Sequence, residues 1–464
     1  MDGGLPVDDA TNVEDWLSAN GVSCVRLEAT NHDGLVLGKH MSVPKFLSTL
    51  ERGSPLADTA FGVDLSGEVA LGWDWGPWRG EVADIVMLPD PSTLIVDPNI
   101  DGWASVICDF TDVHGDPLPP CCRGLLKRMV ARLDGLGYSA SVATELEFMV
   151  FEQSIQEARA RGYRDLTPLG GSGRITYLMS RSRDLSVFVD AVVRHLDRLG
   201  IPWEYWSSET APGQVEINLA PVDPVTAADH VARAKLALRE VAEEQGRSVT
   251  FMAYGIDEYL GGGMHVNLSL HRDGVNAFYG GDGGARSDVL RRWVAGLLET
   301  LPGAMSFLSP TVNSYRRLVD ISGPPTTVTW GEDNKSVAVR TVTRAEGSSR
   351  IEHRVPSCDC NIYLTLAAIL AGGMVGLENE LEPPPEFEGM AWALPRGVAP
   401  ALPDSLKKAT VALAADERLS GMLGREAVDY WLGSREWEWI VFHTHGGDPD
   451  AVGEFELRRY FEQA

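Results

Sequence analysis

Two hydrophobic periods divide this chain. Short stretches at 24–29, 83–88 and 105–110 read as strands, separated by Asp-Gly, Gly-Pro and Pro-Asp turns. The segment 112–120 is dense in turn residues, and the pattern changes beyond it. Apolar residues then recur at helical spacing over 123–136, 185–199, 227–244 and 287–301, while 141–151 alternates at period two. The run 364–377 is apolar almost throughout. With only 14 residues and two glycines it suits a buried core helix and falls short of a bilayer span. Residues 281–284 read as a flexible loop and 382–388 as an acidic, proline-rich connector, and no repeat of domain-forming period is present. The expected fold class is α+β, with a small β-rich unit over residues 1–112 and a larger, chemistry-bearing one over 113–464.

Four strand-like segments place polar residues at i, i+2, which sends them to one face. Glu145 and Glu147 share a face, as do Gln214, Glu216 and Asn218, with Glu209 just upstream. His265, Asn267 and Ser269 form a third set, and Arg350, Glu352 and Arg354 a fourth. A sheet with one solvated face gives the same alternation in any single strand. Acids and arginines repeated on four strands beside Gly-rich turns favour a site. Five carboxylates with one imidazole make a hard-ligand set suited to Mg²⁺ or Mn²⁺. Arg316, Arg317, Arg340, Arg344, Arg350 and Arg354 add guanidinium forks matched to phosphate or carboxylate. Metal carboxylates beside such arginines imply phosphoryl transfer. No phosphate loop of the GxxxxGK[ST] type is present, so a nucleotide would be held in another way.

Charge and cysteine content narrow the setting. Against 40 basic residues stand 66 acidic ones, a net charge of −26, which disfavours nucleic acid and anionic membrane surfaces as partners. The acidic N-terminus carries no secretory pattern. Six cysteines, without the spacing of a zinc site, suit a reduced cytoplasmic setting.

The motifs Glu145-Leu-Glu-Phe, Gly213-Gln-Val-Glu, Gly261-Gly-Gly-Met-His, Asn313-Ser-Tyr-Arg-Arg-Leu, Trp330-Gly-Glu-Asp-Asn-Lys-Ser, Arg350-Ile-Glu-His-Arg and Asp359-Cys-Asn-Ile-Tyr-Leu resemble those of the glutamine synthetase superfamily. They fall in the family's order over 145–364. The resemblance implies a β-grasp N-terminal domain, a catalytic domain with a curved antiparallel sheet, and a homododecamer of two hexameric rings with shared active sites. It implies that Glu147, Glu209 and Glu216 hold the metal serving the acyl substrate, and Glu145, His265 and Glu352 the metal on the nucleotide phosphates. Arg340 and Arg350 resemble phosphate-stabilising arginines, and Ser269, Arg350 and Lys335 correspond to nucleotide-site positions. Arg317, Arg354 and Gly261 correspond to positions that contact glutamate. The implied chemistry is ATP-dependent phosphorylation of a γ-carboxylate, followed by displacement of phosphate by an amine.

Departures from the family pattern bear on the substrate. Ammonia-using members carry a flap glutamate where spacing places Gly323 here, and its absence resembles the γ-glutamylpolyamine and other amine ligases. Asp320 is a candidate substitute base or a solvated acid. Leu260 and the Met252-Ala-Tyr-Gly stretch replace polar segments, Lys335 stands in an arginine's place, and Asn267 in that of a second histidine. Trp73, Trp75 and Trp78, with Asp64 and Asp74, read either as a small core or as a pocket for an organic ammonium. His443 and His445 read as structural or surface residues. The expected activity joins glutamate, or a close analogue, to a primary amine larger than ammonia. Ammonia-using glutamine synthetase and a non-catalytic ring protein are the alternatives.

Overall fold

Alternating segments of the chain assemble into two sheets, each covered by helices. The computed structural model describes residues 10–70, 82–171, 173, 176–255, 261–281, 286–319, 323–395 and 397–463. The first sheet has six strands. Val36–Ser42, Cys24–Thr30, Trp103–Thr111, Asp84–Pro89 and Ser54–Ala57 follow one another across it, and Ile95–Val96 joins Trp103–Thr111. Cys24–Thr30 runs parallel to Trp103–Thr111, and the other pairings are antiparallel. Its core gathers Val25, Leu27, Phe46, Phe61, Val106 and Phe110, and also takes Tyr430 from a late helix.

The second sheet has nine strands. Its order is Trp330–Glu332, Val339–Val342, Arg350–His353, Met264–Arg272, Ser139–Phe151, Gln214–Val222, Trp203–Ser208, with Ser248–Thr250 and Val275–Asn276 on the flanks. Only Trp330–Glu332 and Val339–Val342 pair in parallel. One face packs on helices Cys122–Gly135, Met179–Arg198 and Pro224–Glu244. The other carries the polar residues picked out above.

Most expected elements are present with shifted ends. The helix expected over 287–301 continues to Leu308 as Asp288–Leu308, through Pro302. The helix read over 364–377 is Ile362–Glu378, buried along nearly its whole length. These two helices touch backbone to backbone. A Cβ at Gly376 would lie 1.9 Å from the Arg292 carbonyl oxygen, and one at Gly373 would lie 2.1 Å from the Trp293 ring. Packing this close carries the first helix past its proline, because the apolar stripe on either side of residue 302 stays buried. All six cysteines are free thiols. No helix among the described residues is long and apolar enough to cross a membrane.

Alanine normally stabilises a helix interior by about 1 kcal/mol over glycine. Gly376→Ala should do the reverse and destabilise by about 1–3 kcal/mol, because rigid backbone leaves the methyl no room. A lowered melting temperature in calorimetry is the expected result.

Candidate active site

Strand register builds the site in three rows. Arg340 pairs with Glu352, and Glu352 with Asn267. His265 pairs with Glu145, and Glu145 with Asn218. Glu147 pairs with Glu216, and Glu216 with Ser207. Because side chains alternate, all these groups share one face, where a cavity of about 640 Å³ opens. Glu145, Glu147, Glu209, Glu216, His265, Glu352, Arg317, Arg340, Arg350, Arg354, Lys335 and Gly261 all line it. Ser269 follows on the same strand face as His265 and Asn267, further along, and is not part of the lining.

Glycines 261–263 bring a loop against this face. Gly261 has φ +70°, and a Cβ there would fall 2.3 Å from the Ala253 carbonyl oxygen. A Cβ at Gly263 would press on Glu147, Arg317 and His265 at 2.9–3.0 Å, the centre of the site. No larger residue leaves those three side chains their places.

Four of the five acids are oriented by a neighbouring side chain. Asn267 donates to Glu145 at 2.8 Å, and His265 Nδ1 lies 3.0 Å from the other oxygen of Glu145. Gln214 donates to Glu147 at 2.7 Å and Asn218 to Glu216 at 2.8 Å. Glu352, almost fully buried, accepts from Arg340 at 2.7 Å and from Arg354. Arg350 donates to Asn267 at 2.9 Å, which links the arginine row to the glutamate row. Among the described residues, no acceptor meets the buried Nε atoms of Arg340 and Arg354.

Electrostatics splits the acids into two groups. Burial opposes ionisation of Glu145 and Glu352, but the His265 and Asn267 contacts hold the first below the usual carboxylate range, and Arg354 and His265 hold the second there. Glu209 has no such donor. Burial, together with Glu147 and Glu216, pushes it up to about 8, and burial with Glu145 and Glu147 raises Glu216 as well. Acids that cannot ionise together unaided are what divalent cations bind. Ligand atoms of Glu145, Glu216 and His265 lie within 4.8 Å of one another, so the donor set fits a hard cation, and these three straddle the two expected ligand groups.

The arginine cluster divides. Arg317 is 3% exposed and donates to the Val355 carbonyl at 2.9 Å, beside the cavity. Arg316 turns away towards Glu456, and Arg344 reaches Asp333 from the surface. Asp64 is buried against Arg459 and Trp437, which settles it as a structural group of the fold. Trp73, Asp74, Trp75, Trp78, Leu260 and Asp320 lie outside the described residues. His443 is exposed and stacks on Trp439 of its own helix.

Further lining comes from Thr176, Tyr177, Tyr205, Ser207, Thr210, Pro324 and Trp392. Tyr205 and Ser207 precede Glu209 at intervals of two, so extending its alternation backwards would have found them. Tyr177 and Trp392 sit outside any regular strand and left no periodic signal. Gly323 lines the cavity at φ +114°, and among the described residues no heavy atom lies within 4 Å of where its Cβ would stand.

Fold and site together define a family, and comparison with known proteins agrees. Residues 119–460 match the family model "Glutamine synthetase, catalytic domain". The chain belongs to the glutamine synthetase family. It is 31% identical over 453 residues to the glutamate–isopropylamine ligase of a Pseudomonas species, covering 97% of each chain. It is 32% identical over 476 residues to the gamma-glutamylethanolamide synthetase GlnA4 of Streptomyces coelicolor, covering 99% of this chain and 98% of that one. The solved structure of apo GmaS without ligand superposes with a TM-score of 0.82 at 27% identity, over 97% of this chain and 98% of that one.

Two outcomes follow from the crowded acids. Glu209 has a raised folded-state pKa, so its contribution to stability is full below about 4.5 and is lost as pH rises towards about 8. Without divalent metal, the melting temperature should fall across that window. Added Mg²⁺ should raise it, and more so at pH 8 than at pH 5. Glu352→Ala, which strips Arg340 and Arg354 of their shared acceptor, should reduce ATP turnover by at least about a hundredfold while the assembly elutes unchanged in gel filtration.

Proposed function

We propose that this enzyme, a carbon–nitrogen ligase by family, joins the γ-carboxyl of glutamate or a close analogue to a primary amine larger than ammonia, at the expense of ATP. The observation that carries the reading is Gly323. A glycine with open space beside it stands in the cavity wall where an ammonia-using site would need an acid to hold ammonium, and the freed volume suits an alkyl substituent. Of two relatives that match almost the whole chain, one is named as a ligase of glutamate and isopropylamine and the other as a synthetase of gamma-glutamylethanolamide, in keeping with that reading.

The residues take roles that their placement supports. Glu147, Glu209 and Glu216 would hold one cation on the acyl side, and Glu145, His265 and Glu352 another on the nucleotide side. Bound Mg²⁺ or Mn²⁺ supplies neutralising charge for phosphate and carboxylate oxygens. Arg317 and Arg354 grip the acid's carboxylates, with Gly261 letting the backbone close in. Arg340 and Arg350 face the transferring phosphoryl group, and Lys335 takes its nucleotide role from its place in the family pattern, although its charge also reaches Glu209 on the acyl side. Ser269 reads as an outer nucleotide contact. In the first step a γ-carboxylate oxygen attacks the terminal phosphorus of ATP and ADP leaves. In the second, the amine nitrogen attacks the acyl carbon, its proton is lost, and phosphate leaves with the bonding pair. The reading includes a β-grasp unit over residues 1–112, a catalytic unit over 113–464, and a dodecamer of two hexameric rings.

Phosphate release from ATP, measured with Mg²⁺ and glutamate, tests it against ammonia, ethylamine, isopropylamine, ethanolamine, putrescine and spermidine. At least one organic amine should exceed ammonia in kcat/KM by about tenfold or more. Ammonia as the best acceptor would overturn the proposal.

A further inference from the structure

A short turn of 3-10 helix, Asn313–Arg316, directly precedes Arg317 of the cavity wall and is tied by hydrogen bonds to Tyr254. Asn313 Nδ2 donates to the Tyr254 carbonyl at 2.9 Å, and Tyr254 N–H returns a bond to Asn313 Oδ1 at 2.9 Å. This reciprocal pair anchors the backbone at Tyr254, and the adjacent Ala253 carbonyl accepts from Gly262 N–H at 2.8 Å beside the cavity. On the other side, Arg316 directly precedes Arg317, which lines the cavity.

Both anchors converge on one carboxylate from the last helix, Glu454–Tyr460. Glu456 accepts from Asn313 at 2.9 Å and from Arg316 through a fork, Nε at 2.8 Å and Nη2 at 2.7 Å. Arg316 also donates to the carbonyls of Asp448, Pro449 and Ala451 in the loop leading to that helix. Glu456 is 0% exposed, so it tolerates no loose geometry: a buried carboxylate without its donors is far costlier than one in water. None of Asn313, Arg316 and Glu456 lines the cavity. What the clamp holds fixed is the backbone from which Arg317 enters it.

We infer that Glu456 is a positioning residue for the acid substrate, acting from outside the cavity through Arg316 on Arg317, and through Asn313 and Tyr254 on the neighbouring Ala253 carbonyl that holds Gly262. The inference rests on the reading of Arg317 as a carboxylate-binding residue. It makes the C-terminal helix part of the substrate-binding apparatus as well as of the core.

The test is Glu456→Gln, which keeps size and reach but removes the charge that holds the fork. Steady-state phosphate release should show KM for the acid raised about tenfold or more, with kcat and KM for ATP within about threefold of the parent. Hydrogen exchange by mass spectrometry should be faster at Tyr254 and over 313–319, with the nine-stranded sheet unchanged. Arg316→Lys, which keeps the charge but not the fork, should shift both readouts the same way and less far; it decides the matter if Glu456→Gln does not fold. Unchanged exchange at those two segments, or an equal fall in kcat/KM for acid and ATP, overturns the inference. Loss of acid-dependent turnover in the parent enzyme would instead overturn the functional reading, and the exchange data would still decide the role of Glu456.

Discussion

Glu145, Glu147, Glu209, Glu216 and Glu352 face one cavity, largely out of water, where burial opposes the charge of Glu145, Glu209, Glu216 and Glu352. Hydrogen-bond donors, protons and cations can hold such a set, and the fold supplies the first and makes room for the last. Asn267, Gln214 and Asn218 each lend an amide hydrogen to one acid, and Arg340 and Arg354 flank Glu352. Glu209 and Glu216 are left with raised pKa values, an imbalance that divalent metal relieves. Antiparallel register across adjacent strands is what brings these groups together, and the glycine run at 261–263 is what lets a loop lie against them.

Much of this was legible in the sequence because period two is a strong signal where one face of a sheet is polar. Every metal-ligand candidate and every arginine assigned a role lines the cavity: Glu145 with Glu147, and Arg350 with Glu352, share a face because strand side chains alternate, whereas Glu209 and Arg317 reach it from outside the strands. Elements without a period were harder to read. Trp203–Ser208 lies at the edge of its sheet and exposes Tyr205, so its alternation is blurred. The helix Asp288–Leu308 outruns its expected end because tertiary packing overrides Pro302. Proximity along the chain also misled: Arg316 and Arg317 are neighbours, yet one belongs to the clamp on Glu456 and the other to the cavity. Sequence spacing could not distinguish them, since the partner is 140 residues away.

In the proposed function, selectivity for the amine and affinity for the acid draw on different parts of the chain. Room at Gly323 is local, a missing side chain in the cavity wall. Placement of Arg317 depends on contacts that run to the final helix, so sequence changes far from the chemistry can alter acid binding without altering the metals. That separation gives relatives of one fold a means to change amine while keeping the phosphoryl-transfer apparatus intact.

The claim that most depends on the crowded face is that it binds divalent cations. Titrating the purified protein with Mn²⁺ at neutral pH, and counting bound ions by electron paramagnetic resonance, tests it directly. Two or more tight Mn²⁺ per subunit, with at least one lost in Glu216→Gln and folding retained, is the expected result. No tight Mn²⁺ in the parent protein, or an unchanged count in the variant, would contradict the account.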